Sequence, residues 1–316
     1  MKISGVSYIQ RKRHTMKNLF VFIFVTVLLV SIVIMSISSY VGWDLTHPEK
    51  RSIPVFSSNI VPEYENISFK DKNNSLTLKG WLFTVKGSNK TVILAHGYGQ
   101  NRLQFGEETI DLIKGLLNAG YNVLTFDFRN NGESEGNLTT VGILEKDDLL
   151  GAVEFIKQRG SSTIVLMGFS MGASTALVAA QESLDVDAVI ADSPFSDLTE
   201  YLNSNLSVWS KLPPMPFNQS TLLSMKVLLG IDTKTFSPVK SIGIKPQRPV
   251  LLIHSKDDEK IPVENSYTLL GAGGKTVQLW ETSGVGHVGS FTGYKDEYLK
   301  RVIDFLDKIN VDLTSK

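Results

Sequence analysis

The sequence contains no cysteine among its 316 residues. That absence excludes a disulfide framework, a thiol nucleophile, an iron–sulfur cluster and a zinc site with cysteine ligands. Because cysteine-free proteins occur in reducing and oxidising compartments alike, it does not indicate where the protein resides. Glycine and proline are moderate, at 25 and 11 residues, and 42% of the chain is hydrophobic, which excludes collagen-like and disordered chains.

Acidic residues are also absent from the first part of the chain. Before Asp44 there are five basic residues and no acidic one: Lys2, Arg11, Lys12, Arg13 and Lys17. The whole chain has 32 basic and 32 acidic residues, so the part after Trp43 carries 32 − 5 = 27 basic residues against 32 acidic ones. A mildly acidic body argues against nucleic acid as a partner, because phosphate binding needs a basic face.

A long apolar run follows the basic head. Residues 19–37 are interrupted only by three small hydroxyl side chains. A membrane-spanning helix needs about 20 such residues, whereas the apolar core of a signal peptide has only about 7–15. We therefore predict a membrane anchor over residues 18–41; the alternative is a signal peptide cleaved at a poor site near Ser38. The positive-inside rule then places the head, residues 1–17, in the cytoplasm and the body beyond the cell membrane.

The rest of the chain predicts one α/β domain over residues 65–312, preceded by a proline-containing linker over residues 42–64. Runs 67–69 and 76–85, with turn residues between them, predict an opening antiparallel pair. Short apolar runs then alternate with helical patterns, which implies a mostly parallel central sheet flanked by helices on both faces.

Residues from about 195 to 245 contain no convincing strand and predict a small helical cap inserted between two strands. Such insertions often shape substrate pockets. Apolar residues of this cap suit a pocket for an acyl chain: Trp209, Leu212, Met215, Phe217, Leu222 and Leu223. An ordinary long connection is the alternative, although typical loops have only about 4–6 residues.

The segment 168–172 reads Gly-Phe-Ser-Met-Gly between an apolar strand and an alanine-rich helix. This G-x-S-x-G pattern in a strand–turn–helix context is typical of a nucleophile elbow, whose tight turn exposes the serine hydroxyl. Gly168 and Gly172 are needed there because a Cβ at either position would collide with neighbouring backbone. We therefore predict that Ser170 is a nucleophile.

A serine nucleophile requires a base, and the sequence offers five histidines. His14 and His47 lie in or next to the anchor, and His96 and His254 end predicted strands. Only His287 lies in a glycine-rich loop after the last strand, a setting that suits a base that serves both nucleophile and leaving group. We predict that His287 is the base; the alternative is a surface histidine without a role.

The base in turn requires an acid that orients it. Asp192, Asp257 and Asp258 all follow predicted strands and all preserve the chain order serine, acid, histidine. We favour Asp258, which stands on a turn before Pro262, over Asp192 and then Asp257. Helix capping or turn formation is the alternative role for each.

Residues 96–99, His-Gly-Tyr-Gly, follow the first predicted parallel strand. A backbone N–H in this loop joins the N–H of the residue after the nucleophile to bind an oxyanion. We therefore predict that the N–H groups of Tyr98 and Met171 form the oxyanion hole. A simple glycine turn is the alternative.

Five segments together resemble the α/β-hydrolase superfamily: AHGYG, FDFRNNGESEG, GFSMGA, ADSPFSDL and HSKDDEKIP. The resemblance spans roughly residues 67–309 and is greatest to bacterial serine hydrolases of the esterase and serine-aminopeptidase-like group. It implies a nucleophile at Ser170, an acid at Asp258 and a base at His287. Many relatives have Arg-Gly-His-Gly-x-Ser where this chain has Arg-Asn-Asn-Gly-Glu-Ser at residues 129–134, a difference that affects pocket details.

These features predict a membrane-anchored serine hydrolase that cleaves an acyl ester as a carboxylesterase does. A peptidase or amidase, a thioesterase and an acyltransferase on the same fold remain alternatives, as does a non-catalytic binding protein. We expect a small-molecule acyl substrate and the bilayer as partners, and no cofactor, since the sequence has no phosphate-binding loop, dinucleotide fingerprint or metal-ligand cluster. The oligomeric state stays open.

Overall fold

A computed structural model describes residues 5–54, 60–245 and 247–314, with side chains over 15–54, 60–245 and 247–309. Part of the predicted basic head, including the side chain of His14, and residues 55–59 of the predicted linker lie outside these ranges. The strands are β1 Glu65–Lys70, β2 Thr77–Phe83, β3 Lys90–Ala95, β4 Asn122–Phe126, β5 Thr163–Phe169, β6 Ala188–Asp192, β7 Val250–Ser255 and β8 Val277–Thr282. The α-helices are α1 Gly5–Thr46, α2 Glu108–Asn118, α3 Glu145–Gln158, α4 Met171–Glu182, α5 Leu198–Ser210, α6 Pro214–Leu229, α7 Pro238–Ile242, α8 Glu264–Gly273, α9 Ser290–Gly293 and α10 Lys295–Thr314.

The eight strands form one sheet in the order β1-β2-β4-β3-β5-β6-β7-β8. β2 pairs antiparallel with β1 and with β4, and all the other pairs are parallel. The predicted opening hairpin and mostly parallel sheet are therefore confirmed. Because parallel strands end at the same edge, the loops after β3, β5, β6, β7 and β8 gather above the carboxyl end of the sheet.

Two apolar layers cover the sheet, one on each face. Val165 and Met167 of β5 pack into the layer that includes α2 and α10, and Ile164 and Leu166 pack into the layer that includes α3 and α4. This alternation follows from the two-residue period of a strand. All seven residues of β5 are buried, as expected for a parallel strand covered on both faces.

The first helix is longer than the anchor predicted over residues 18–41, since it continues to Thr46. Its segment Thr15–Thr46 is long and apolar enough to cross a membrane, with a mean hydropathy of 3.0 in its most apolar window. Beyond the helix the chain lies against the body: the backbone oxygens of Arg51 and Ser52 accept hydrogen bonds from Asn101, and Lys50 donates to the backbone oxygen of Ser134.

The region between β6 and β7 is helical, with α5, α6 and α7 in place of strands. Asp197 stabilises the N-terminus of α5, because its carboxylate accepts hydrogen bonds from the N–H groups of Thr199 and Glu200. α6 packs along the last turns of α1 as well as against α5. The cap and the end of the first helix thus lie over the carboxyl edge of the sheet as one packed unit.

Candidate active site

Ser170 lies in the tight turn between β5 and α4, with φ 54° and ψ −117°. A positive φ is strained for a non-glycine residue and recurs at functional sites. The turn depends on its glycines: a Cβ on Gly168 would lie 2.2 Å from the carbonyl oxygen of Gly172, and a Cβ on Gly172 would lie 2.1 Å from that of Ala95. The predicted nucleophile elbow is therefore the local geometry of this segment.

A continuous chain of hydrogen bonds joins the three side chains singled out from the sequence. Ser170 Oγ lies 2.9 Å from His287 Nε2, and His287 Nδ1 lies 2.7 Å from Asp258 Oδ2. Ser170 and His287 are half-buried, whereas the Asp258 side chain is fully buried. With Nδ1–H donating to the carboxylate, Nε2 is left to accept the serine proton.

The environment of Asp258 keeps its carboxyl group ionised. Burial acts to raise the pKa, but hydrogen bonds from His254 and His287 and from the backbone N–H of Ile261 outweigh it, so the pKa of Asp258 is held well below its usual range. Its Oδ1 accepts from the N–H groups of Lys260 and Ile261, both at 2.9 Å. These bonds leave Oδ2 directed to the histidines.

His96 has a structural role, although it directly follows β3 near the site. Its Nδ1 lies 2.8 Å from the carbonyl oxygen of Gly97, and its Nε2 accepts a hydrogen bond from the N–H of Phe128 at 3.0 Å. Burial lowers the pKa of His96, so its imidazole is neutral. It therefore ties the loop after β3 to the loop after β4.

His254 contacts the same carboxylate oxygen of Asp258 as His287 does. Its ring is fully buried, with Nδ1 2.7 Å from Ser266 Oγ and Nε2 3.2 Å from Asp258 Oδ2. His47 stacks on Trp43, with ring centroids 3.6 Å apart, and its Nδ1 lies 2.9 Å from the carbonyl oxygen of the same residue. Within residues 15–54, 60–245 and 247–309, no three His, Asp or Glu side chains are arranged to hold a metal ion.

The two other candidate acids stabilise loops and do not contact His287. Asp192 is fully buried and accepts hydrogen bonds from the hydroxyl groups of Ser193 and Tyr298, both at 3.0 Å. Burial raises the pKa of Asp192 to about 6. The carboxylate of Asp257 accepts a hydrogen bond from the N–H of Gly284, in the loop that carries His287.

The two predicted oxyanion donors flank the serine. Met171 is the first residue of α4, and Tyr98 follows Gly97, at which an added Cβ would lie 3.4 Å from Ser170 Cβ. Among the described residues, neither the Met171 nor the Tyr98 N–H donates to a backbone or side-chain acceptor. A helix N-terminus also favours negative charge, so the arrangement fits an oxyanion site.

A pocket of about 780 Å³ opens above the serine. Trp209 and Leu212 of the cap line it, but Met215, Phe217, Leu222 and Leu223, which the sequence also suggested, do not. One wall of the pocket was not predicted from the sequence. It is formed by the end of α1, with Ile37, Tyr40, Val41, Asp44 and Leu45. The helical spacing of those five residues was the available signal.

Several known proteins are similar to this chain in sequence or in structure. Residues 90–219 match the family described as alpha/beta hydrolase fold. YqkD, an uncharacterized protein of Bacillus subtilis, is 34% identical over 237 residues, 74% of this chain and 76% of that protein. The lysophosphatidylserine lipase ABHD12 of Mus musculus is 29% identical over 196 residues, 58% of this chain but only 45% of that protein. The esterase Pf2001 of Pyrococcus furiosus superposes with a TM-score of 0.68 at 29% identity, covering 84% of this chain and 98% of that one.

The strand order, the nucleophile elbow and the helical cap define an enzyme of the hydrolase class built on a mostly parallel sheet. The chain belongs to the α/β-hydrolase family. Its similarity to YqkD and to the Pyrococcus esterase extends over most of its length, whereas it spans less than half of the mouse lipase.

Proposed function

We propose that the protein is a serine hydrolase that cleaves carboxylic esters through an acyl-enzyme, with Ser170 as nucleophile, His287 as base and Asp258 as orienting acid. The observation that carries the proposal is the hydrogen-bond chain from Ser170 Oγ through His287 to Asp258, with separations of 2.9 and 2.7 Å. Its geometry is that of a Ser-His-Asp triad, in which the carboxylate holds the imidazole in the correct tautomer.

The proposed reaction has two halves. Ser170 Oγ attacks the ester carbonyl while its proton passes to His287 Nε2, and Asp258 stabilises the resulting imidazolium. The N–H groups of Tyr98 and Met171 bind the oxyanion, and the loss of one such donor typically raises the barrier by about 3–4 kcal/mol. The alcohol leaves with the proton from His287, and water then attacks the acyl-serine by the same route.

The pocket favours an ester with an apolar acyl chain. Apart from Asp44, Lys260 and His287, its lining carries no ionisable side chain except the tyrosines, and Val141, Met171, Phe195, Leu206 and Trp209 give it an apolar interior. The solved relative is an esterase and a more distant one is a lipase, which supports an ester over an amide. Peptidase, thioesterase, acyltransferase and purely binding roles are the outcomes that a substrate panel separates.

We also propose that α1 anchors the enzyme in the cell membrane, with residues 1–17 in the cytoplasm, 18–41 in the bilayer and the catalytic domain, 65–312, on the outer side. The length and hydropathy of α1 support the anchor, and the five basic residues before residue 18 support the orientation. Retention of the helix is favoured over signal cleavage because its last turns line the pocket.

The test is labelling of the purified full chain with a fluorophosphonate probe, combined with hydrolysis of acyl esters, aminoacyl amides and acyl thioesters. Ser170→Ala should abolish both labelling and turnover. Ser210→Ala is the matched control, since Ser210 lines the same pocket but its hydroxyl donates to the backbone oxygen of Leu206. Labelling that persists in Ser170→Ala and is lost in Ser210→Ala would contradict the proposal.

A further inference from the structure

The last turns of α1 present two different faces to the catalytic body. Ile37, Tyr40, Val41, Asp44 and Leu45 line the pocket, whereas the buried residues Ser38, Gly42 and Thr46 recur every fourth position on another face. Residues four apart lie on the same side of a helix. The same helix that carries the apolar run is therefore also a wall of the site.

The second face is closely packed on α6 and on the loop before α3. Ser38 Oγ lies 2.8 Å from Ser220 Oγ, and a Cβ on Gly42 would lie only 3.0 Å from Met225 Cγ. At the end of the helix, the carbonyl oxygen of Thr46 accepts a hydrogen bond from the N–H of Thr139 at 2.8 Å. These contacts fix the end of α1 to the catalytic domain, so no flexible linker separates the helix from the cap.

The pocket-lining face runs from the nucleophile toward the apolar run. The carbonyl oxygen of Leu45 accepts a hydrogen bond from the hydroxyl of Tyr98, at 2.6 Å, and Tyr98 stands in the loop next to Ser170. Ile37 lies eight residues earlier on the helix, about 12 Å away at 1.5 Å per residue. Ile37 is also the last residue of the apolar run 19–37. The pocket thus reaches from the serine to the point where α1 becomes wholly apolar.

The cap beside this end of the pocket is also apolar on its outer surface. Ser220 of α6 contacts Ser38 of α1, so the end of α5 and the start of α6 lie here, where Trp209 and Met215 are exposed by 45% and 74%. Exposed apolar side chains next to an apolar helix of spanning length are typical of a surface that contacts lipid. With α1 in the bilayer, the end of the pocket lined by Ile37 is then the part nearest the acyl region of the bilayer.

We infer that α1 guides the acyl chain of a membrane-resident, single-chain ester from the bilayer to Ser170, and that Ile37 limits the length of chain the pocket accepts. This inference rests on the proposed esterase function and adds the source and shape of the substrate. The chain lies along Ile37, Val41 and Leu45, with its ester carbonyl at the serine. A single chain fits because the pocket volume, about 780 Å³, is within the usual range of about 300–1,000 Å³ for one small ligand.

The experiment uses the full chain in phosphatidylcholine nanodiscs with glycerol monoesters of butyric, octanoic and palmitic acid. Ile37→Trp should lower the palmitoyl-to-butyryl ratio of kcat/KM by about tenfold or more, since one extra or missing methylene in an apolar pocket already alters selection by about 10–200-fold. Ile37→Ala, which removes bulk and keeps the helix, should shift the preference toward the longer chain. Ile32→Trp is the control, because Ile32 is exposed on the same helix but does not line the pocket.

The outcomes separate this inference from the proposed function. A wild-type protein that labels at Ser170 and hydrolyses esters, with the same chain-length ratio in both Ile37 variants, would overturn the inference and leave the esterase function standing. An equal change in Ile32→Trp would also overturn it, because the effect would then arise from the helix in general. If the wild-type protein neither labels nor hydrolyses any ester, the proposed function itself fails.

Discussion

The side chain of Ser193 accepts a hydrogen bond from the backbone N–H of Val288 at 3.2 Å. Val288 directly follows the proposed base, and Ser193 directly follows β6. Both residues have φ 54°, so each end of this contact is held in a strained conformation. The same hydroxyl donates to the buried Asp192, which fixes its orientation. Ser193 thus attaches the loop that carries His287 to the end of β6, in addition to the bond between Gly284 and Asp257.

We expect Ser193→Ala to lower kcat by about tenfold with little change in KM, because the loop would hold His287 less well. The buried N–H of Val288 would lose its acceptor, which should reduce the free energy of unfolding by about 1–3 kcal/mol. Stopped-flow kinetics and urea unfolding measure the two effects. Ser174→Ala is the control: Ser174 is buried and hydrogen-bonded to Phe195, so it should lower stability and leave kcat nearly unchanged.

The two buried carboxylates near His287 should respond differently to the same substitution. Asp258→Asn removes the acceptor of the His287 Nδ1–H and should lower kcat by about 10³–10⁴-fold, because the imidazole then adopts the wrong tautomer. Asp192→Asn should lower kcat by less than about tenfold, since Asp192 bonds to Ser193 and Tyr298 and not to His287. Steady-state kinetics on a soluble ester measure kcat for both variants. A larger loss of kcat in Asp192→Asn than in Asp258→Asn would identify Asp192, after β6, as the acid.

Stability should fall as the pH rises through the titration of Asp192. Burial raises the pKa of this carboxyl group to about 6 in the folded state, from 3.8. The folded protein therefore binds a proton that the unfolded chain releases, and this stabilisation is complete below about pH 4 and lost as the pH passes about 6. A shift of that size corresponds to roughly 3 kcal/mol.

Asp192→Asn removes this titration, so its stability relative to the wild type should rise between pH 4 and pH 7. The measurement is the difference in free energy of unfolding between variant and wild type at each pH. Asp307→Asn controls for the loss of one negative charge, because Asp307 is exposed on α10. A constant difference across this range would show that Asp192 is not protonated in the folded protein near pH 5.

The glycines of the elbow should be far less tolerant than a glycine of an ordinary helix. Gly172→Ala places a Cβ 2.1 Å from the carbonyl oxygen of Ala95, so α4 must move away from β3. We expect a loss of at least about 3 kcal/mol of stability, together with loss of probe labelling. Gly271→Ala in α8 meets no atom within 4 Å and should stabilise the protein by about 0.5–1 kcal/mol. Thermal unfolding of both variants tests the contrast.

Much of the reacting centre could be predicted because it depends on local patterns. Ser170 is recognisable from two glycines between a strand and a helix, and His287 and Asp258 from their places in loops after successive strands. Parallel strands bring those loops to one edge whatever the details of packing. The distances of 2.9 and 2.7 Å among these side chains agree with that reasoning, and their catalytic roles stay predictions.

The wall formed by α1 was not predicted, because it depends on long-range packing that helical spacing alone does not reveal. In the apolar run 19–37 almost every position is apolar, so no periodicity distinguishes a face that contacts protein from one that contacts lipid. The pattern changes only after Ile37, where Ser38, Gly42 and Thr46 mark a close helix contact. The structural role of His96 could not be predicted either, since it depends on the N–H of Phe128 in the loop after β4.

The proposed topology makes a direct prediction for intact cells. A protease added outside, with any outer membrane opened, should remove the body, because the positive-inside rule assigns the end with the basic residues to the cytoplasm. Carbonate washing should leave the full chain in the membrane, since α1 is long and apolar enough to cross the roughly 30 Å of bilayer hydrocarbon. Exchanging the five basic head residues for glutamine should weaken the orientation, whereas exchanging Lys50 and Arg51 should not.

Protection of the body until lysis would reverse the orientation, and a mature N-terminus near Ser39 would show that the helix is a cleaved signal peptide.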